Sequence, residues 1–148
     1  MILGHKEIER LLPHSGQMVF IHRVVQYGEI SVTTEVDTDK LTLLHTEKGI
    51  PSYAGIELMA QSVAVWSGLI RQADNQPPQP GFLLGTRKYE CQIPYFELGS
   101  TLRIHAEEVV NNEGLAVFQC TLAGDGEDDA FAEARISVYS AELDSIVN

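Results

Sequence analysis

The sequence predicts an α+β protein in which an antiparallel sheet wraps around one long central helix. Between Lys48 and Arg71 lie 22 residues, of which only Glu57 is charged, so a helix here is apolar on nearly every side. Short runs of alternating apolar and polar residues predict two strands before this segment and four after it. The turns between the strands are short, which favours antiparallel pairing. A sheet that curls around the helix is the arrangement that covers it.

The part of the chain before the central helix is predicted to form a short helix and a hairpin. Residues 6–12 read as a helix that Pro13 stops. Residues 18–26 are rich in β-forming residues, and residues 30–36 alternate between apolar and polar side chains. We therefore expect a β-hairpin, followed by a loop from residue 37 to residue 49 that contains His45.

The central helix is predicted over residues 53–73, a length of about 30 Å at 1.5 Å per residue. Ser52 is a suitable N-cap residue, and Pro51 precedes it. The helix ends before the proline-rich connector at residues 74–81, which cannot continue it. We expect Met59, Trp66 and Ile70 to belong to the core.

Four strands are predicted after the connector. Their apolar positions recur at every second residue, as expected for strands with one face turned to the core. Their approximate ranges are residues 82–93, 102–110, 116–122 and 132–138. They complete a six-stranded sheet.

Bulk composition limits the possible functions. A chain of 148 residues with 44% hydrophobic residues predicts one globular domain over residues 1–148. The net charge of −11 argues against nucleic acid as a partner. The polar N-terminus lacks a signal-peptide pattern, and polar residues dilute the 49–70 segment, so we expect a cytoplasmic protein without a membrane span. Cys91 and Cys120 lie in strand patterns without metal-ligand spacing, and we expect reduced thiols and no metal.

Glu57 is the first candidate for chemistry. A carboxylate on an apolar helix is costly unless it is paired, hydrogen-bonded or protonated. A carboxyl held in this way is a candidate acid or base. The alternative is a structural Glu57 that caps a backbone amide or bonds to Gln61 one turn later.

Three segments carry a resemblance to a known family. They are Leu11–Val25, which begins Leu-Leu-Pro-His; Pro51–Gln61, with Glu-x-x-Ala-Gln at its end; and Gly81–Pro94, followed by Leu98-Gly-Ser. With these segments the chain resembles the 3-hydroxyacyl-acyl-carrier-protein dehydratases over about residues 11–140. The resemblance implies the hotdog fold. Within the family, the chain is most similar to the dehydratase-like subgroup of aryl polyene and related polyketide-type pathways.

The resemblance implies a mechanism and a set of partners. His45 would be the base that removes the C2 proton, and Glu57 the acid that protonates the leaving C3 hydroxyl. Substrate-binding positions would be Gln61 and the backbone amides at the helix start, which bind the thioester oxygen, at Ser52, Tyr53 and Ala54. In the family the histidine of one protomer meets the carboxylate of the other, so a homodimer is implied. The substrate would be carried on the phosphopantetheine of acyl carrier protein, with no metal or redox cofactor.

The chain departs from the family pattern around the histidine. The usual Gly-His-Phe-Pro is replaced by Leu44-His-Thr-Glu, and the spacing from His45 to Glu57 is 12, two shorter than usual. Ser52 stands where the family has the glycine at the helix start. His22 replaces the strand aspartate before Arg-Val.

Other basic and histidine positions have ordinary alternatives. Arg87 and Lys88 form the only adjacent Arg/Lys pair of an acidic chain; they either dock the acidic carrier protein or simply face solvent. We expect His14, His22 and His105 to be packed or solvated rather than catalytic, and His5 to lie in a mobile terminus.

Two further functions remain open at this point. A hotdog thioesterase would use the same carboxylate and helix-end amides with water as nucleophile, and many act without the histidine at position 45. A non-catalytic hotdog subunit would bind acyl carrier protein or stabilise an active partner in a heterodimer. The altered loop around His45 is the feature that points to such a non-catalytic subunit.

Overall fold

The computed structural model of the chain describes residues 2–12, 16–76 and 81–140. Single 3₁₀ turns lie at Gly16–Met18, Thr38–Lys40 and Thr42–Leu44. The helices and strands are, in chain order, α1 (His5–Glu9), β1 (Arg23–Tyr27), β2 (Ser31–Asp37), β3 (Ile50–Pro51), α2 (Ala54–Ala73), β4 (Gly81–Cys91), β5 (Tyr95–Phe96), β6 (Thr101–Asn112), β7 (Leu115–Gly124) and β8 (Ala132–Ser140).

Six strands form one antiparallel sheet in the order β1-β2-β6-β7-β8-β4. The predicted two strands before the helix and four after it are confirmed. β1 and β4 are the two edges of this sheet within the described chain. β4 follows α2 in sequence, yet among the described strands it pairs only with β8.

The inner face of the sheet packs on α2. Residues at every second position of the strands are buried, as the alternation predicts; examples are Val32, Ile104 and Phe118. The one polar side chain of β2 on this face, Thr34, is satisfied by Ser62 of α2, with 2.8 Å between the two hydroxyl oxygens. The predicted α+β fold with a sheet around a central helix is confirmed.

In the single chain one stripe of α2 is only partly covered. Leu58, Met59 and Val65 are buried, whereas Tyr53 is 69% exposed and Glu57 is also exposed. The expectation that all sides of the helix are covered is therefore wrong for one chain. A six-stranded sheet curls around the helix without closing, and an uncovered stripe remains.

Several boundaries differ from the predictions. α1 is shorter than predicted and ends at Glu9, and Pro13 lies outside the described residues, as do His14 and residues 77–80. Tyr53, not Ser52, is the N-cap of α2, and it makes no side-chain cap. The two-residue strands β3 and β5 were not predicted, because pairs this short have no sequence periodicity. The prediction of one domain over residues 1–148 reaches beyond the described residues and stays a prediction.

Both cysteines are free thiols in the described structure. Burial raises the pKa of the Cys120 thiol to about 12. In the described parts of the chain, residues 2–12, 16–76 and 81–140, no helix is both long enough and apolar enough to cross a bilayer.

Candidate active site

The backbone just before α2 is held at Ser52. The Ser52 N–H donates to the carbonyl of Pro94 at 2.9 Å, and the Ser52 carbonyl accepts the N–H of Gly55 at 3.0 Å and the hydroxyl of Tyr89. The expectation that the Ser52 amide faces substrate is wrong, because this amide already has an acceptor. The N–H groups of Tyr53 and Ala54 have no acceptor among the described residues.

Glu57 lies in the first turn of α2 and faces outward. It forms no hydrogen bond or ion pair with any residue of the described chain. The expectation of a buried Glu57 is wrong for a single chain, since it lies on the stripe of α2 that the sheet leaves open.

Gln61 is buried and does not bond to Glu57. Its side-chain oxygen accepts the N–H of Phe20 at 2.8 Å, and its side-chain nitrogen donates to the carbonyl of Met18 at 2.6 Å. Both polar atoms of the Gln61 side chain are thus bonded to backbone groups rather than to Glu57. Its role is to tie the segment before β1 to the middle of α2.

His45 follows the 3₁₀ turn Thr42–Leu44 and is exposed. Its Nε2 lies 2.8 Å from the carbonyl oxygen of Thr38. A carbonyl can only accept, so Nε2 carries the proton, and in the neutral imidazole Nδ1 is left with a free lone pair. This is the tautomer that a base acting through Nδ1 requires.

Thr38 is itself fixed by the segment before β6. Its N–H donates to the carbonyl of Ser100 at 3.0 Å, and its hydroxyl lies 2.9 Å from the carbonyl oxygens of Glu97 and Ser100. The acceptor that orients the His45 ring is therefore part of a rigid network.

Contacts connect the segment before His45 with the start of α2. The turn Thr42–Leu44 contacts the turn Gly16–Met18, and Gln61 binds the backbone of Met18 one helical turn from Glu57. Two side chains of these turns, Met18 and Leu43, are about half exposed, at 50% and 52%. Within the described chain His45 and Glu57 make no hydrogen bond to each other.

Arg87 and Lys88 are both exposed on the edge strand β4. Arg87 stands directly opposite Arg135 of β8, whose Nε donates to the side-chain oxygen of Gln119 at 3.1 Å. Two like charges directly across a sheet destabilise each other. This row is locally basic, and the next exposed row along the two strands, Glu90 opposite Glu133, is acidic. The sequence alone does not single out Arg135, because its pairing with Arg87 depends on the register between β4 and β8.

Tyr89 was also missed, although its hydroxyl bonds to the Ser52 carbonyl at the start of α2. Burial raises the pKa of Tyr89, with smaller contributions from neighbouring Cys91. Regular alternation after the outward Arg87 would turn residue 89 outward as well. The available signal was a large aromatic residue at a position that alternation assigns to solvent.

An ion-pair network lies where the loop to His45 begins. Arg23 of β1 bonds to Asp37 through both terminal nitrogens, at 2.7 and 2.8 Å, and to Glu35 at 3.1 Å. Hydrogen bonds from Arg23 hold the pKa of Asp37 well below its usual range.

His22 is 6% exposed, and its Nδ1 accepts the Asp37 N–H at 2.9 Å. Burial lowers the pKa of His22 to about 4, and the prediction of a packed His22 is confirmed.

These features define the class of protein. The chain has an antiparallel six-stranded sheet around one long helix, and its candidate polar groups lie at the helix start and in the preceding loop. It is a hotdog-fold protein. The family model of the ApeP-like proteins, described as ApeP dehydratase, matches residues 6–148. The chain belongs to the ApeP-like dehydratase family. The predicted dehydratase family and its aryl polyene subgroup are thereby confirmed.

Solved structures agree with this assignment. A chain of the dehydratase heterocomplex ApeI:P from Xenorhabdus doucetiae is 28% identical, with a TM-score of 0.84 over 95% of this chain and 97% of that chain. A hypothetical thioesterase protein with coenzyme A from Streptococcus pneumoniae TIGR4 is 14% identical, with a TM-score of 0.61 over 80% and 84%. The E. coli PaaI protein is 13% identical, with a TM-score of 0.59 over 78% and 80%. The last two share the fold. No curated protein sequence matches.

Proposed function

We propose that this dehydratase converts a 3-hydroxyacyl thioester on acyl carrier protein to the trans-2-enoyl thioester, with His45 as base and Glu57 as acid. The single observation that carries the proposal is the state of Glu57. In a chain of this family it is an exposed carboxylate without a partner among the described residues, in the first turn of an otherwise apolar helix. Such a group is available to a substrate rather than committed to the fold.

The proposed proton transfers use the free ends of both groups. Nδ1 of His45 takes the proton from C2, and the electron pair forms the C2–C3 double bond. Glu57 gives its proton to the C3 hydroxyl, which leaves as water. The negative charge that develops on the thioester oxygen is bound by the N–H groups of Tyr53 and Ala54, at the positive end of α2.

We further propose that a second hotdog subunit completes the site. His45 and Glu57 do not bond to each other within the described chain, and the exposed stripe of α2 begins at Tyr53 and Glu57. Covering this stripe removes apolar surface from water. A carboxyl taken out of water in this way favours its neutral form, from which it can donate a proton.

The partner is either a second copy of this chain or a different hotdog protein. The heterocomplex ApeI:P, in which a chain of similar sequence and structure is found, supports the second possibility. In that case this subunit either supplies His45 or Glu57 to a mixed site, or stabilises an active partner. Static light scattering of the purified chain distinguishes the two partners. A homodimer has about twice the chain mass of 16.4 kDa, and a monomer favours the heterodimer.

Acyl carrier protein is proposed to approach the basic row formed by Arg87 and Arg135, with Lys88 beside it. The protein as a whole has a charge of −11, so long-range electrostatics repels an acidic partner and a local basic patch has to guide it. β4 also carries Tyr89, which contacts the segment before α2, so the row lies on a strand that reaches the proposed site.

Mass spectrometry of defined 3-hydroxyacyl carrier proteins tests the proposed reaction directly. Incubation with the protein, alone and with a candidate hotdog partner, is expected to give a loss of water from the acyl group. Loss of the whole acyl group would instead indicate a thioesterase. An unchanged substrate in both samples would contradict the proposed dehydration.

A further inference from the structure

Tyr89 reaches the helix through an irregularity in β4. Arg87 pairs with Arg135 and Glu90 pairs with Glu133, so β4 advances three residues while β8 advances two. The extra residue is accommodated at Lys88, whose φ of 56° lies in the left-handed region. This is a β-bulge, and it uses a non-glycine residue in a conformation that costs free energy.

The bulge changes which side of the sheet Tyr89 faces. Arg135 and Glu133 are exposed, and Ala134 between them is buried on the inner face. Because the bulge inserts one residue opposite Ala134, Tyr89 turns to the inner side while Lys88 stays exposed. Without the bulge, Tyr89 would point outward beside Arg87.

The tyrosine hydroxyl then meets the backbone before α2 at a position where no side chain intervenes. A Cβ built on Gly55 would lie 2.3 Å from the Tyr89 hydroxyl oxygen, so only glycine leaves room for this contact. The hydroxyl donates to the Ser52 carbonyl, which also accepts the Gly55 N–H at 3.0 Å. The Ser52 carbonyl is therefore held by two donors.

Fixing the Ser52 carbonyl also fixes the direction of the Tyr53 N–H. The Ser52 carbonyl and the Tyr53 N–H belong to one planar trans peptide unit and point in opposite directions. Fixing the oxygen with the Tyr89 hydroxyl and the Gly55 N–H fixes the plane, and so directs the Tyr53 N–H away from the protein backbone. A hydrogen bond to the carbonyl also polarises the same amide and strengthens its N–H as a donor.

We propose that Tyr89 is a positioning residue for the dehydration: through the Ser52 carbonyl it orients the Tyr53 N–H toward the thioester oxygen of the substrate. The inference rests on the proposed function of the α2 amides. Tyr89 touches the backbone and not the reacting atoms. Its effect is expected to grow as negative charge develops on the thioester oxygen, and so to appear in kcat more than in KM.

The first test is Tyr89→Phe, which removes the hydroxyl and keeps the ring that packs beside Gly55. We expect kcat to fall by about tenfold, less than the loss of a whole oxyanion donor, with a smaller, several-fold rise in KM. Ser62→Ala is the matched control, because it also removes a buried hydroxyl bonded to α2, at 2.8 Å from the Leu58 carbonyl. The control is expected to lower Tm and to leave kcat unchanged. A Tyr89→Phe enzyme with the wild-type kcat and a lowered Tm would overturn the proposal.

The second test is independent of turnover. Binding of an enoyl-pantetheine thioester is compared with binding of its thioether counterpart, which lacks the carbonyl oxygen. Tyr89→Phe is expected to weaken binding of the thioester several-fold and to leave the thioether unaffected. Equal effects on both ligands, or none, would overturn the positioning role.

These readouts separate the inference from the proposed function. A wild type that turns over no thioester contradicts the dehydration, while the pair of ligands still tests whether Tyr89 orients the amide. A wild type that dehydrates, with a Tyr89→Phe variant that dehydrates equally fast, leaves the function standing and removes Tyr89 from it.

Gly55→Ala tests the same contact between Tyr89 and the start of α2 from the helix side. In a helix, glycine to alanine normally stabilises. Here the new methyl group displaces the Tyr89 hydroxyl, so Gly55→Ala should lower kcat in the wild type and have a smaller effect in the Tyr89→Phe background. Additive losses would show that the two residues act separately and would overturn the proposed link.

Discussion

At the scale of single residues, the proposed chemistry depends on two side chains with different surroundings. Glu57 has no partner among the described residues, whereas His45 is oriented through Nε2 by the carbonyl of Thr38, a residue whose N–H and hydroxyl bond to Ser100 and Glu97. The acid is thus free to adapt, and the base is fixed with one nitrogen available.

Glu57→Gln is expected to keep the fold, because an exposed side chain without partners contributes little to stability. If Glu57 is the acid, the rate of dehydration should fall by ~10²–10⁴-fold, since glutamine has no proton of suitable acidity to give. The measurement is the rate of enoyl thioester formation, beside circular dichroism of the purified variant. Dehydration at the wild-type rate would show that Glu57 is not the acid.

His45→Ala is expected to abolish dehydration and also the exchange of the C2 proton with deuterated water. The exchange isolates the base, because it needs no loss of the hydroxyl group. His105→Ala serves as the control: His105 is exposed on the outer face of the sheet and bonds to Thr33 at 2.9 Å. A His45→Ala variant that still dehydrates would remove the base from the mechanism and favour the thioesterase.

At the scale of elements, the edge strand β4 combines two roles on its two sides. Its outer side carries Arg87 opposite Arg135, and the bulge at Lys88 turns Tyr89 to the inner side. A bulge with a lysine on an edge strand also discourages unwanted pairing with other strands.

Changing Arg87 and Lys88 together to glutamate is expected to raise KM for substrate on carrier protein, because the basic row that attracts the acidic carrier is reversed in sign. The same substrate on a short pantetheine should be affected little. Lys6→Glu with Arg10→Glu makes the same change of charge at exposed positions near α1 and should leave both values unchanged. Equal losses on both substrates would point to a defect in the fold or in the site, and against docking.

The elements were largely predictable, and their exceptions have physical reasons. α2 follows from a segment of helical length in which Glu57 is the only charge between Lys48 and Arg71, and β6 to β8 follow from alternation. The position of Tyr89 could not be predicted, because a bulge depends on pairing with a strand more than 40 residues later in the sequence. The exposure of Glu57 could not be predicted either, since the sequence does not reveal how far the sheet curls.

At the scale of the whole molecule, buried His22 links stability to pH. Its pKa is about 4 in the folded protein, against 6.5 for an unperturbed histidine, because burial disfavours the charged ring. A lowered folded pKa means that the unfolded chain binds the proton more tightly. The stabilisation is therefore complete above pH 6.5 and is lost as pH falls from 6.5 to about 4, by about 3 kcal/mol in total.

Urea unfolding between pH 7.5 and 4.5 tests this dependence. The wild type is expected to lose free energy of unfolding steadily below pH 6.5, whereas His22→Asn should show a flatter profile, since asparagine can still accept the Asp37 N–H but does not titrate. The lowered pKa of Asp37 leaves its own contribution nearly intact over this range, because that contribution is lost only as pH falls through the unfolded-state pKa of an aspartate, about 3.9. A wild type with equal stability at both ends of the range would contradict the assignment.

The strand order also determines when the sheet can be completed during synthesis of the chain. β4 leaves the ribosome soon after α2, but its neighbour among the described strands of the sheet is β8, at Ala132–Ser140. Until that strand has been made, the edge strand has nothing to pair with, and the apolar helix is incompletely covered. The nascent chain therefore depends on β8, and a truncation before Ala132 removes the support of β4 along with β8 itself.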